Sequence, residues 1–208
     1  MTELQRTDEW HAARLGKLTA SRFHEAVATT AKSGWSASRK KYMAQLLAER
    51  LTGRPYERYQ SQAMRDGTER EPDARIAYAL DHDVEVIQCG FVDHPRIAMA
   101  GCSPDGLVGT DGLVEIKCPE THTHIEYLTG VAMPGEYLLQ MQWQMACTGR
   151  AWCDWVSFEP RLPAHLQLHV RRMHRDEQLI SGMEQQAIEF LAELDRMVAR
   201  LEPHRRAA

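Results

Sequence analysis

The feature that most constrains the fold is a change of hydrophobic period in the middle of the chain. Before about residue 80 and again from about residue 137 the apolar positions recur largely at helical spacing; between them they alternate or run in short blocks cut by Gly, Pro and Asp. Val84–Val92, Ile97–Ala100, Gly106–Val108 and Leu113–Cys118 read as strands joined by tight turns, and Trp152–Phe158 and Leu166–Met173 add two more. Helices are predicted to start at Thr7, with Asp8 and Glu9 on the positive end of the dipole, and near Thr19–Ser21. A third runs over Ser38–Leu51 and is stopped by Gly53. A fourth covers Thr68–Leu80, where Thr68-x-x-Glu71 has the form of a capping box. Tyr137–Thr148, with Gly149 past its end, and the amphipathic Asp176–Leu201 complete the set. Helices before and after a central mixed β-sheet imply an α/β or α+β sandwich. No repeat or long linker divides the 208 residues, so one domain over 1–208 is expected.

Several classes of protein are disfavoured at once. No stretch approaches the ~18 apolar residues of a membrane span, and the polar start, Met1 to Asp8, has no apolar core behind it. A soluble, cytoplasmic protein is expected. The five cysteines are odd in number and form no Cys-x-x-Cys pair, which favours reduced, buried thiols over disulfides or a zinc site. His122 and His124 are the only closely spaced histidines and read as exposed loop residues rather than ligands. Net charge is -4, but residues 1–50 hold nine Lys/Arg against five Asp/Glu, and residues 66–136 hold four against fourteen. Such a concentration of acid repels itself, and bound divalent cations would relieve it; a solvated acidic surface is the competing reading.

The chemistry concentrates in Ser103-Pro104-Asp105-Gly106-Leu107 and Gly112-Leu113-Val114-Glu115-Ile116-Lys117-Cys118-Pro119. Side chains two apart in a strand share a face, so Glu115 and Lys117 point together while Val114, Ile116 and Cys118 point into the core. A turn near Asp111-Gly112 folds this strand back beside Asp105. Two converging carboxylates suit a hard cation such as Mg²⁺, and the carbonyl of Ile116 is a candidate third ligand. A lysine beside the ion orients an attacking water, favours its deprotonation and stabilises phosphoryl charge, which makes phosphodiester hydrolysis the natural reaction. An exposed Glu-x-Lys ion pair is the competing reading.

Pro104-Asp105 followed by Glu115-Ile116-Lys117 resembles the PD-(D/E)xK nuclease signature. The likeness narrows further. Trp10-His11-x-x-Arg14-Leu15-Gly16-x-Leu18-Thr19-Ala20-Ser21, Gly67 to Arg75, Cys102 to Leu107 and Glu115-x-Lys117-Cys118-Pro119 resemble, in that order, the phage lambda exonuclease family. Gln140-x-Gln142, Pro160-Arg161 and Arg175-Asp176-Glu177 continue the likeness over nearly the whole chain, with a shorter loop after Pro119.

This resemblance implies an α/β restriction-endonuclease-like core with Asp105, Glu115 and the Ile116 carbonyl on metal, Lys117 serving the water, Glu71 helping to hold a second ion, and Gln140 completing the site. It implies Mg²⁺, with Mn²⁺ as a substitute, at two ions per site. Arg14 falls where the family holds the terminal 5′-phosphate, with hydroxyls from Thr19 and Ser21 in support; a capping role for either hydroxyl remains open. Met64 falls where the family wedges the duplex end, though core packing is the more frequent use of methionine. Arg39, Lys40 and Lys41 form the densest basic run and are candidates for the duplex backbone or for a solvated helix face. The implied activity is 5′→3′ degradation of linear double-stranded DNA to mononucleotides by a ring of three subunits. The 3′ tails would feed a strand-annealing protein of the same phage system in a bacterial host. The rivals are an endonuclease or junction resolvase on the same core, and a DNA-binding scaffold.

Overall fold

In the computed structural model, which describes residues 5–201 other than 33, 57, 58 and 60, the strands fall into two sheets rather than one. A three-stranded sheet has the order β1 (Leu18–Thr19), β4 (Ala100–Cys102), β3 (Val92–Asp93), with β1 parallel and β3 antiparallel to the middle strand. A five-stranded mixed sheet runs β2 (Val86–Ile87), β5 (Gly106–Val108), β6 (Gly112–Lys117), β7 (Trp152–Phe158), β8 (Leu168–His174). Its one parallel pair is β6 with β7. A parallel pair needs a long crossover, supplied here by α5 (Thr121–Leu128) and α6 (Gly135–Thr148).

Both faces of the large sheet are covered, so its central strands are apolar on each side. Leu113, Cys153 and Trp155 pack with Met141, Trp143 and Met145 of α6 in a cluster that also takes in Tyr42 of α3 (Ala37–Thr52) and Phe190 and Leu194 of α7 (Glu177–Leu201). Val114, Ile116, Val156 and Phe158 face the other way, onto Ala74 and Tyr78 of α4 (Gln62–His82). Two further helices, α1 (Asp8–Arg14) and α2 (Phe23–Ala26), precede α3.

Helix signals held where capping is local. The Thr7 hydroxyl accepts from the Trp10 N–H, and Gly53 and Gly149 end α3 and α6 in the left-handed conformation that favours glycine. Several expectations need correction. First, α4 begins well before Thr68: Ser61 is its cap, accepting from Met64 N at 3.2 Å, so Thr68 and Glu71 lie inside the helix and form no capping box. Pro72 also lies within it and costs one backbone donor. Second, Val84–Val92 is two short strands in different sheets. Third, Ile97–Met99 is a turn, because the buried His94 Nδ1 accepts the N–H groups of Arg96 (3.2 Å) and Ile97 (3.1 Å). Fourth, Ala20–Arg22 is a single 3₁₀ turn leading into α2, and the Thr19 side chain makes no capping bond; likewise Ala164–Leu166 is a 3₁₀ turn, so β8 starts two residues after Leu166. Fifth, His122 and His124 belong to α5. His124 is fully buried, with Nδ1 2.7 Å from Ser157 Oγ and Nε2 2.9 Å from the Leu166 carbonyl.

Candidate active site

Asp105 sits where the chain leaves the small sheet and enters the large one, immediately before β5. The β5–β6 hairpin pairs Gly106 with Val114, which brings Asp105 beside Glu115 and Ile116 of β6, and Asp105 Oδ2 accepts the Ile116 N–H at 2.7 Å. Glu115 and Lys117 share the opposite face of β6 from Val114 and Ile116, and that face is not open: Glu115 is 1% exposed beneath α6. The exposed ion-pair reading is thereby excluded.

A buried carboxylate needs donors, and Glu115 has three. Its Oε1 accepts from Lys117 Nζ (2.6 Å) and Gln140 Nε2 (2.6 Å); its Oε2 accepts from Gln144 Nε2 (2.6 Å). Gln140 and Gln144 stand one turn apart on α6 and so face the sheet together. Gln142 turns elsewhere, donating to the His174 carbonyl at 2.8 Å. The Lys117 ammonium also lies 4.8 Å from the centre of the Tyr137 ring.

Electrostatics separate the roles of the charged groups. Burial, reinforced by the negative charges of Glu115 and Glu71, pushes the Asp105 carboxyl well above its usual range against Lys117 and the Ile116 N–H. Burial works against the Lys117 charge, yet Glu115 and Asp105 outweigh it and hold the lysine pKa above its ordinary value. With both carboxylates beside it, Lys117 donates to Glu115 and presents positive charge to the site.

A cavity of about 230 Å³ is lined by Asp105, Glu115, Ile116, Lys117, Gln140 and Glu71, and by Arg14, Thr19 and Ser21. Every residue that the sequence placed in the metal centre or the phosphate pocket thus borders one space. Arg14 is stacked on Trp10, 4.0 Å from the ring centre, and Trp10 Nε1 donates to Ser103 Oγ at 2.9 Å. Glu71 of α4 is held on both sides: Oε1 accepts from Arg75 (2.8 Å) and Oε2 from Arg6 (2.6 Å). Arg75 Nε also donates to the Asp105 carbonyl at 3.2 Å.

The donor set suits Mg²⁺. The carboxylates of Asp105, Glu115 and Glu71 and the Ile116 carbonyl are oxygen donors, the kind a hard cation takes. Among the described residues, no group of three His, Cys, Asp or Glu side chains is drawn together as a metal site.

Outside this cavity the expectations divide. Met64 is 55% exposed on the first turn of α4, so core packing is ruled out; it borders a second cavity of about 370 Å³ with Arg70, Pro119 and Arg161. Lys40 and Lys41 are exposed on α3. Arg39 is not available to DNA. It is 3% exposed, donates to the Ala26 carbonyl (2.9 Å) and Glu193 (2.8 Å), and packs over Trp35 and Phe190. A long side chain on a helix crossed by α7 is drawn into the interface by a carboxylate that sequence reading had no reason to pair with it. Sequence reading also missed Gln144, Tyr137, Arg75 and Arg6. Only Gln144 left a trace, as a second amide one helical turn after Gln140.

A small β-sheet feeding an aspartate to a mixed sheet, whose next strand carries Glu-x-Lys under a helix, defines a PD-(D/E)xK nuclease core. Residues 9–151 match the model of the YqaJ-like viral recombinase domain. The chain belongs to that family of phage-type recombination exonucleases. It is similar to the alkaline exonuclease LHK-Exo of Laribacter hongkongensis at 48% identity and a TM-score of 0.88, over 97% of this chain and 99% of that one. The same figures hold for that enzyme in complex with dAMP. A phage-related exonuclease from Haemophilus somnus 129PT shares the fold at 13% identity, with a TM-score of 0.67 over 89% and 96% of the two chains. No curated protein matches the chain. Among the described residues, no helix is long and apolar enough to cross a membrane.

Proposed function

We propose that this protein is a Mg²⁺-dependent 5′→3′ exonuclease that degrades one strand of linear double-stranded DNA to mononucleotides. The 3′ single-stranded tails it leaves would serve a strand-annealing protein of the same phage system. The observation that carries the reading is the shared cavity: the carboxylate–lysine centre and the Arg14–Thr19–Ser21 cluster border the same 230 Å³ space. An end-directed nuclease would use a phosphate anchor beside the reacting phosphodiester, and a guanidinium with two hydroxyls is suited to that task. The exonuclease names of the relatives agree.

Asp105, Glu115 and the Ile116 carbonyl would hold Mg²⁺, or Mn²⁺ in its place. Such an ion supplies charge stabilisation at the attacking and leaving oxygens of an in-line displacement. Lys117 Nζ, beside Glu115 Oε1 at 2.6 Å, would orient the attacking water by hydrogen bonding and offset phosphoryl charge. Gln140 holds Glu115 and reaches toward Lys117, 3.5 Å away. The Arg14 guanidinium, steadied by Trp10, gives paired hydrogen bonds to a terminal 5′-phosphate, with the Thr19 and Ser21 hydroxyls beside it. Met64, exposed at the head of α4, would part the last base pair, and Lys40 and Lys41 would follow the duplex backbone. A second ion would have to use Glu71, whose oxygens both accept from arginines. Three subunits closed in a ring would keep an acidic protein on its substrate by topology.

The test is digestion in Mg²⁺ of linear duplex with a 5′-phosphate on one strand and a 5′-hydroxyl on the other, with closed circles alongside. Loss of the phosphorylated strand from its 5′ end with intact circles is the expected result. Cutting of the circles would discard the end anchor and the ring in favour of an endonuclease.

A further inference from the structure

We propose that Arg6 sets how many divalent cations the centre holds, because its guanidinium and a second ion compete for the same oxygen of Glu71. The inference rests on the metal-centre reading above and deepens it.

The two arginines on Glu71 are not equivalent. Arg75 lies on the same helix as Glu71, is 14% exposed in its side chain, and is fixed a second time by its bond to the Asp105 carbonyl. It belongs to the frame. Arg6 comes from the segment before α1, its side chain is 50% exposed, and its NH2 lies 2.6 Å from Glu71 Oε2. A charge-assisted bond this short is strong, but a half-solvated guanidinium is free to exchange that partner for another anion.

The backbone points the same way. Arg6 has φ +71°, a conformation that glycine adopts readily and that strains other residues. Its neighbours pin the segment on both sides. Gln5 Nε2 donates to the carbonyls of Pro104 (2.7 Å) and Cys89 (3.3 Å), and Thr7 caps α1. Held between these anchors, Arg6 is directed at Glu71 despite the strain. Its side chain borders the catalytic cavity and also a groove of about 600 Å³ lined by Trp10, Arg14 and Tyr56. It therefore has somewhere to go when it leaves Glu71.

A guanidinium and a divalent cation cannot both occupy the inner side of Glu71 Oε2. With Arg6 in place the centre carries one ion at Asp105 and Glu115, and Arg6 supplies the second positive charge. A second ion binds only as Arg6 swings into the groove, where a phosphate oxygen of the DNA strand is the natural new partner. Arg6 is thus a positioning residue that couples DNA entry to metal loading.

Calorimetric titration of the full chain with Mn²⁺ tests this on wild type, Arg6→Gly, Arg6→Ala and Glu71→Gln, without DNA. Arg6→Gly also removes the backbone strain, so it keeps the test open should Arg6→Ala fold poorly. Wild type is expected to show one tight site and a much weaker second one. Either Arg6 variant should tighten the second site about tenfold, the scale of one charge-assisted hydrogen bond. The first site should move by less than about threefold, and Glu71→Gln should abolish the second site. A second site unchanged or weakened by Arg6→Gly overturns the proposal. A first site that is missing, or that survives Asp105→Asn, overturns the metal-centre reading itself and this inference with it.

Discussion

Glu115 combines near-complete burial with three charge-satisfying donors, and Gln144 is the one among them that touches nothing else in the proposed chemistry. Gln144→Leu keeps the bulk and removes the donor to Oε2, leaving half of a buried carboxylate unsatisfied. A bond to a charged group contributes about 1.5–3 kcal/mol, so a loss of roughly 10- to 100-fold in kcat is expected, with a comparable stability loss in urea unfolding. Unchanged kcat would show that Gln140 and Lys117 suffice to hold Glu115. Lys117→Ala should remove cleavage while leaving binding to duplex ends largely intact in a gel-shift assay. Full retained activity would take Lys117 out of the mechanism. Asp105, Glu115 and Lys117 were legible in sequence because two-residue alternation and a tight turn are local rules. Arg39 misled for the opposite reason: its fate was set by Glu193, far along the chain on another helix.

Among the elements, the end of β7 is tied to two helices by one buried carboxylate. Glu159 is fully buried; it pairs with Arg161 (2.7 and 2.6 Å), accepts from Thr121 of α5 (3.0 Å), and lies 3.9 Å from Arg70 of α4. The bonds from Arg161, working against burial, hold its carboxyl down at about 2, from an ordinary 4.5. A depressed carboxylate contributes stability above its unfolded pKa and loses it as pH falls through the folded one. The Glu159→Gln variant should therefore be less stable than wild type by about 2–3 kcal/mol at neutral pH. The gap should close as pH drops from about 4.5 toward 2. Chemical denaturation at stepped pH measures this; a gap that is constant to pH 2 would mean the clamp contributes through packing alone. The clamp also explains why α5 was not foreseen. An eight-residue segment of Thr, His, Ile, Glu, Tyr and Leu carries no strong helical signal, and it is held by Glu159 at its first turn and by His124 under β7.

For the whole molecule, light scattering is expected to give three chain masses in solution. A monomer would leave the end anchor intact but remove the ring as the source of processivity. The acidic middle segment, fourteen Asp/Glu against four Lys/Arg over residues 66–136, is partly neutralised by arginines of the structure itself, as at Glu71. Added Mg²⁺ should accordingly raise the melting temperature of wild type more than that of Asp105→Asn. Equal shifts in a differential scanning measurement would place the stabilising ion elsewhere.

The sequence by itself determined the elements whose rules are short in range. Capping at Thr7, the glycine stops at Gly53 and Gly149, the alternation of β6 and β7, and the carboxylate–lysine triad each depend on residues within one turn or one hairpin. The family likeness then attached Arg14, Glu71 and Gln140 to the same centre. The tertiary structure alone decided that the strands form two sheets, that Arg39 and His124 are interior, and that Gln144, Arg75 and Arg6 complete the carboxylate shell. Each of these depends on a hydrogen bond or ion pair between residues distant in the chain. A buried charge must find its partner wherever the fold brings one, and no local pattern records where that will be.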